Sequence, residues 1–164
     1  MSTKTKERDW VEVIGKPAFD SMAEMVAACQ VDWDRLEELT QDGAHERRIE
    51  HPDLEPSEED KELLAEMDKL REAAGDCASE DDAQQRIDED PLSIELGGWW
   101  TPGSEPEATE YRILLTTGGP AVRIVGEIGQ TARLEVQDWF KPWTEFPCDE
   151  DVLLEYVGRL YLGD

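Results

Sequence analysis

The spacing of apolar residues changes once along the chain, near Pro91, and this change limits the folds that the sequence can adopt. Before it, apolar residues recur at steps of three and four, the period of an α-helix. After it, short runs alternate apolar and polar residues, as half-buried β-strands do. We therefore predict two parts: an acidic, mainly helical region over residues 1–90, and an antiparallel sheet with a C-terminal helix over residues 91–164.

The first 56 residues predict one short strand and two helices. Trp10–Gly15 alternates like a strand, and a helix is expected to begin near Pro17, because proline is tolerated in a first helical turn. Its apolar stripe contains Phe19, Met22, Met25, Val26 and Cys29. A second helix has Asp32 as its expected N-cap and Gly43 as its stop. Residues 44–56 contain two prolines and no apolar period, which indicates a loop.

Residues 57–90 predict two capped helices. Ser57 is the expected N-cap of the first, and Gly75 is its stop. Its apolar stripe contains Leu63, Leu64, Met67, Leu70 and Ala74. Ser79 is the expected N-cap of the second helix, in which Ile87 is the only large apolar residue.

The runs LSIEL, TEYRILLTT, AVRIVGEI and ARLEVQDW predict strands, and the short segments TGGPA and GEIGQT predict hairpin turns between them. The last segment, DEDVLLEYVGRLYL, has helical spacing and is expected to cover the apolar face of the sheet. The predicted fold is therefore α+β: N-terminal helices followed by a three- to four-stranded antiparallel sheet packed by a C-terminal helix.

The chain has 41 acidic and 16 basic residues, a net charge of −25. This charge disfavours direct binding to nucleic acid or to an anionic membrane, because both need Lys and Arg. Six Trp, three Tyr and three Phe indicate a folded chain. The sequence has no apolar run of about 18 residues and no signal-like segment, and its three cysteines are far apart. We therefore expect a protein of the reducing cytoplasm.

The motifs of several enzyme classes are absent from the sequence. It has no GxxxxGKS or GxxxxGKT, no GxGxxG after a strand, no GxSxG and no HExxH. His45 and His51 are six residues apart in the predicted loop, and no two cysteines are close, so a zinc site is not indicated. We therefore predict no catalytic residue, no metal site and no cofactor, and a function other than catalysis.

The charge is densest in residues 57–90, where 14 acidic and four basic residues give −10. On the predicted helix Glu59, Glu62 and Glu66 form one stripe, and like charges at this spacing destabilise a helix by about 0.2–0.5 kcal/mol per pair. A fixed row of carboxylates has a field similar to that of DNA, which carries about one charge per 1.7 Å of axis. The candidate partner contacts are Glu58, Glu59, Glu62, Glu66, Asp81, Asp82, Asp88 and Glu89.

Two pairs of tryptophans stand out in the second half of the chain: Trp99 with Trp100, and Trp139 with Trp143. The interpretation that we favour is that they fill the seam between sheet and helices. The alternative is that some are exposed anchors, since Trp is enriched at the centres of protein interfaces. Trp99, Trp100 and Trp143 are the candidate anchors, and an extended GGWW segment would expose one of its two tryptophans.

The second half of the chain also resembles a known group. The strings TGGPAVRIVGE and QDWFKPWTE, with EDPLSIELGGWWTPG before them and RLYLGD at the end, are similar to an acidic protein family of bacterial phages, plasmids and other mobile elements. The resemblance covers about residues 78–164. In size and charge the chain further resembles the acidic anti-restriction and anti-CRISPR proteins that imitate DNA.

Three functions remain open. The first, which the resemblance favours, is an acidic DNA mimic of anti-CRISPR or anti-restriction type that blocks the nucleic-acid site of a basic host defence complex in the bacterial cytoplasm. The second is an acidic immunity protein, antitoxin or adaptor for another basic partner. The third is adaptation to high salt without mimicry, which fits the high acid content and the excess of Arg over Lys.

Overall fold

The computed structural model describes the backbone of residues 3–162 and the side chains from Trp10 to Leu162. Within this range the helices are α1 (Thr3–Cys29), α2 (Trp33–Gln41), α3 (Gly43–Glu50), α4 (Glu58–Ala74), α5 (Glu80–Glu89) and α6 (Glu150–Arg159). The strands are β1 (Ser93–Gly97), β2 (Glu110–Thr116), β3 (Ala121–Glu127), β4 (Arg133–Gln137) and β5 (Thr144–Phe146). The predicted α+β class is confirmed, with N-terminal helices, then the sheet, then a C-terminal helix.

The sheet is an antiparallel meander in which each strand pairs with the next along the chain, in the order β1 to β5. Residues 3–162 therefore contain five strands, whereas the sequence predicts three or four. The additional strand is β5, which has only three residues. The four predicted runs correspond to β1, β2, β3 and β4, and Gly118 and Gly129 adopt positive φ in the turns between them.

Alternate residues of the central strands are buried, as the sequence predicts, and together with α6 they form the core of the sheet. The most enclosed members are Ile113, Ile124, Leu134, Val136, Leu153 and Tyr156. The side chain of Glu150 at the start of α6 accepts a hydrogen bond from the backbone N–H of Ala132, at 3.1 Å. The Tyr156 hydroxyl donates to Asp90 at 2.6 Å, which satisfies the polar end of this buried ring.

The chain divides into two compact units. One, which we call the sheet unit, contains residues 1–26 and 85–164; the other, the helical unit, contains residues 27–84. In the helical unit α2, α3 and α4 enclose a small core of their own. Its buried members are Leu39, Ala44, Leu64 and Met67, and Leu36, Leu63 and Leu70 pack against them.

The prediction of a strand at Trp10–Gly15 is wrong, because this segment lies inside α1. The prediction that a helix begins near Pro17 is also wrong, since Pro17 lies within α1. Five of the buried residues of α1 recur at steps of four, seven, four and three, which is one face of a helix. They are Val11, Gly15, Met22, Val26 and Cys29, and Ala28 beside Cys29 is buried as well. Pro17 is exposed, so its missing N–H and its ring fall on the outer side of the helix.

The predicted loop over residues 44–56 is wrong in its first half, where α3 forms. Asp42 ends α2 and also caps α3, since its carboxylate accepts a hydrogen bond from the N–H of Ala44 at 2.7 Å. Gly43 is the first residue of α3 and not the stop that the sequence suggests. Ala44 supplies the buried contact of this short helix.

The predicted ends of the acidic helices are confirmed. Ser57 Oγ accepts from the N–H of Asp60 at 3.1 Å, and Gly75 ends α4 with a positive φ of 57°. Ser79 Oγ accepts from the N–H of Asp82 at 3.1 Å. α4 therefore begins and ends, and α5 begins, where short-range capping places them.

Candidate functional site

The acidic surface lies mainly on the helical unit, which has 20 acidic and six basic residues, a net charge of −14. α4 opens with acidic residues at its first three positions, where the N-terminal end of the helix dipole favours them. Leu64 and Met67 direct its apolar face into the core. Glu58, Glu59 and Glu62 are exposed on the remaining surface, and the Glu58 side chain is 90% exposed.

Three arginines on α2 and α3 bind three carboxylates on α4. The pairs are Arg35 with Glu66, Arg47 with Asp60, and Arg48 with Asp68, at shortest N···O distances of 2.9, 2.6 and 3.0 Å. In each pair two guanidinium nitrogens donate to the carboxylate. A two-point contact fixes the orientation of both side chains as well as their distance. The pairs therefore hold α4 in a defined orientation against α2 and α3 within the helical unit.

The same contacts change the titration of α4. The pKa values of Asp60, Glu66 and Asp68 lie below their ordinary range, chiefly because each carboxylate accepts hydrogen bonds from its arginine. These side chains stay ionised at a more acidic pH than an unpaired carboxylate. Water reaches all three pairs and screens them, so they orient α4 rather than supply a large share of its stability.

The structure separates the four predicted contacts on α4 into two kinds. Glu66 is bound to Arg35 at two points, so its charge is matched inside the protein. Glu58 accepts from Lys61 at 2.9 Å, one turn further along the helix. For Glu59 and Glu62 the described part of the chain shows no ion pair. Among the four predicted contacts on α4, these two side chains are the most available to a partner.

The predicted contacts on α5 are also of two kinds. Asp82 belongs to the N-terminal cap, because its carboxylate accepts from the N–H of Ala78 at 2.9 Å. Asp81 and Asp88 are exposed and seven residues apart, two turns along one side of α5. Glu89 is exposed and accepts from Gln85 at 2.7 Å. α5 thus presents carboxylates along its length, of which Asp82 caps the helix and Glu89 accepts a bond from within it.

The interpretation that the tryptophans fill a seam is wrong for three of them. Trp99, Trp100 and Trp139 are 89%, 60% and 63% exposed. Trp99 and Trp100 lie outside the strands, so the expected alternation does not apply and both face solvent. Trp143 is half-buried, and the Arg123 guanidinium lies 4.0 Å from its ring centroid. The candidate anchors Trp99 and Trp100 are therefore free to contact a partner, whereas Trp143 already has one.

Phe140 is an exposed aromatic residue that is not among the candidate anchors predicted from the sequence. Its side chain is fully exposed, and its φ of 61° makes it the one non-glycine residue with positive φ among residues 3–162. A bulky side chain rarely adopts this conformation. The turn is held by a hydrogen bond from Lys141 N–H to Asp138 C=O at 3.0 Å. Trp139 lies beside Phe140, with 6.3 Å between the ring centroids.

A cavity of about 820 Å³ opens on the sheet unit. Its wall includes Arg112, Arg133 and Cys148, together with several carboxylates. Burial raises the pKa of Cys148 to about 11, so its thiol is protonated at neutral pH and is a weak nucleophile. Among the side chains that the structure describes, no group of three or more His, Cys, Asp and Glu is arranged to hold a metal ion.

Comparison of the chain with protein-family models, with curated proteins and with solved structures found no match. None of the helices in residues 3–162 is long and apolar enough to cross a membrane. The features that bear on function are therefore those of the surface itself: its exposed carboxylates, the arginines that orient them, and the exposed aromatic side chains.

Proposed function

We propose that the protein is an acidic DNA mimic, which occupies the nucleic-acid-binding site of a basic protein in the cytoplasm of a host bacterium. A host defence complex of the CRISPR or restriction type is the partner class that this proposal names. The observation that carries it is the exposed carboxylate surface of α4, oriented by arginine pairs on both flanks of the helix.

Fixed orientation supports mimicry better than charge alone does. A disordered acidic tail would have to be ordered on binding, and this ordering weakens affinity. α4 is already ordered by a cap, a buried apolar face and arginine pairs. Charges three and four residues apart on a helix lie about 5–6 Å from each other, so the row presents a dense and stationary negative field. Such a field increases the rate at which a basic groove captures the protein.

The contacts within the helical unit indicate different roles for the acidic residues of α4. Glu59 and Glu62 are exposed without an ion pair in the described structure, and we assign them direct contact with the basic site. Glu66 has its charge matched by Arg35, so its role is to orient the helix. Conversion of Glu66 to Gln should therefore reduce binding through the position of α4, and conversion of Glu59 should reduce it directly.

The test begins with capture of binding proteins from a bacterial lysate on the immobilised protein, followed by elution with a 24-base-pair DNA duplex. The purified partner is then titrated with two variants of equal charge, in which four exposed acids become amides. The surface variant changes Glu58, Glu59, Glu62 and Asp81; the control variant changes Glu12, Glu24, Glu127 and Glu145 in the sheet unit.

The proposal predicts that duplex DNA elutes the partner and that the surface variant binds at least about tenfold more weakly, with a shallower dependence on salt. The control variant should bind like the unmodified protein. Equal weakening in both variants would indicate non-specific charge attraction. Binding that survives saturating DNA would exclude a shared site and favour an adaptor or an antidote to a toxin.

A further inference from the structure

β1 is the outer strand of the sheet, and no strand within residues 3–162 pairs with its outer side. On its inner side it pairs with β2 along its whole length, from Ser93 opposite Leu114 to Gly97 opposite Glu110. A strand in this position leaves a row of backbone N–H and C=O groups without a partner strand. All five residues of β1 are exposed, so the described part of the chain does not cover this edge.

The edge also displays a row of apolar side chains. Leu92, Ile94 and Leu96 alternate along the strand, point to one face, and are 59%, 39% and 45% exposed. This is the apolar face of the sheet, because Ile94 lies opposite the buried Ile113 and Leu96 opposite the buried Tyr111. The apolar face of the sheet therefore extends from the buried residues of β2 to β1, where its side chains are exposed to solvent.

The usual protection of an edge strand is absent from β1. Natural edges carry Lys, Pro, a bulge or an inward-pointing charge, each of which prevents the addition of another strand. β1 has the sequence SIELG, with one charged residue. That residue, Glu95, accepts from Arg112 at 3.2 Å on the other face of the sheet. β2 has a register irregularity between Leu114 and Thr116, and it lies on the side that faces β3.

The charge around β1 restricts the occupant of this edge. From Ile87 to Tyr111 the chain has seven acidic residues and no Lys or Arg. A second copy of the chain would bring the same acidic segment to the interface, and like charges on facing strands are destabilising. A strand that adds here is therefore expected to carry positive charge. Trp99 and Trp100, both exposed, follow the strand directly and extend the apolar surface.

We propose that β1 is a docking strand, which accepts one extended segment of a protein partner as a sixth strand of the sheet. The segment has apolar side chains at alternate positions, which cover Leu92, Ile94 and Leu96, and Lys or Arg at the positions between them. Backbone hydrogen bonds provide the affinity, and the alternating side chains provide the selectivity. This inference does not depend on the DNA-mimic proposal, because it uses the sheet unit and a different kind of contact.

The probe is a synthetic nonapeptide in which Lys and Val alternate, titrated into the full-length protein. Two N-methylated isomers of the peptide block its opposite hydrogen-bonding edges, and a third peptide has Glu in place of Lys. The proposal predicts binding of the parent peptide with a Kd below about 1 mM. It predicts that one N-methylated isomer binds like the parent, and that the other isomer and the Glu peptide do not bind.

Two further measurements locate the peptide on β1. Hydrogen exchange of the bound protein should show new protection of amides in β1 and unchanged exchange in β3. Ile94→Lys places a charge on the apolar face of the edge and should weaken binding at least tenfold. The matched control is Ile49→Lys on α3 of the helical unit, where an isoleucine that is 66% exposed receives the same charge. This control should bind like the unmodified protein.

Several results would overturn the proposal. Equal effects of Ile94→Lys and Ile49→Lys, or binding of both N-methylated isomers, would indicate charge attraction without strand addition. Failure of the parent peptide to bind, or unprotected β1 amides in the bound protein, would exclude the site without any variant. A dimer in sedimentation experiments that Ile94→Lys converts to monomer would assign the edge to a second copy of the chain.

Discussion

Substitution of Gly15 by alanine tests how α1 packs within the sheet unit. Gly15 is buried in the middle of α1, and an added Cβ would lie 2.5 Å from Cδ2 and 2.9 Å from Cβ of Phe146 on β5, with Cγ also in contact. Non-bonded carbons are normally about 3.5–4.0 Å apart. Phe146 must therefore retreat, and its Cβ is attached directly to the backbone of the strand. The substitution forces α1 away from β5 or the ring out of its position.

The change in the free energy of unfolding caused by Gly15→Ala is the difference between two opposing contributions. Alanine in a helix interior is favoured over glycine by about 1 kcal/mol. Overpacking of a well-filled contact destabilises by about 1–3 kcal/mol. Gly15→Ala should therefore destabilise the protein by about 0–2 kcal/mol, the difference of these two contributions. Gly158→Ala on α6 is the matched control, since nothing lies within 4 Å of an added Cβ there. It should stabilise the protein by up to about 1 kcal/mol.

Urea unfolding of both variants measures the free energy of unfolding, and the gap between them should be about 1–3 kcal/mol. Phe146→Ala removes the ring, so Gly15→Ala should cost less in that background than in the unmodified protein. A Gly15→Ala variant as stable as Gly158→Ala would refute the packing of α1 on Phe146. An unchanged cost in the Phe146→Ala background would assign the effect to another contact.

Three further variants test other local arguments. Phe140→Gly should stabilise the protein by about 1 kcal/mol in thermal unfolding, because glycine adopts the left-handed conformation without strain and no buried contact is lost; a loss of stability would contradict this. Arg35→Gln removes the bonds that lower the pKa of Glu66. Because the folded pKa is lowered, this stabilisation is present above about pH 4.3 and is lost as pH falls; the stability difference from the unmodified protein should shrink below that pH, and more than it does for the charge-matched Lys69→Gln. The raised pKa of Cys148 means that the folded state retains its proton between the ordinary value of 9.0 and about 11; stability should therefore fall over that range, and Cys148→Ala should reduce the fall.

Features set by short-range contacts follow from the sequence. The caps of α4 and α5 need only residues within one turn, so Ser57, Gly75 and Ser79 are sufficient to locate the helix ends. The alternation in β2, β3 and β4 follows from the burial of one face of each strand. Alternation over the six residues Trp10–Gly15 is too short to separate a strand from a helix, and the buried face of α1 decides for the helix.

The helix α3 is missed because one residue has two roles. Asp42 ends α2 and caps α3, so no spacer residues separate the two helices. Gly43 looks like a stop, although it has none of the positive φ that Gly75 uses to end α4. Two prolines follow in the next segment, so the sequence indicates a loop where the structure forms α3.

The candidate site is predictable in its charge but not in its pairing. The acidic row on α4 is visible in the sequence, but Arg35 lies 31 residues from Glu66, and only the packing of α2 on α4 brings them together. The exposure of Trp139 and Phe140 depends on a turn, for which strand alternation makes no prediction. Which carboxylates are matched inside the protein, and which are available to a partner, is therefore a property of the folded helical unit.

The central claim is that the protein and DNA compete for one site on a basic partner. The most direct measurement loads the purified partner with a fluorescently labelled duplex and follows its anisotropy as the protein is added. The account predicts complete release of the duplex, and an apparent Kd for DNA that rises in proportion to the protein concentration without a plateau. A ternary complex of partner, duplex and protein, or a plateau in the apparent Kd, would contradict it.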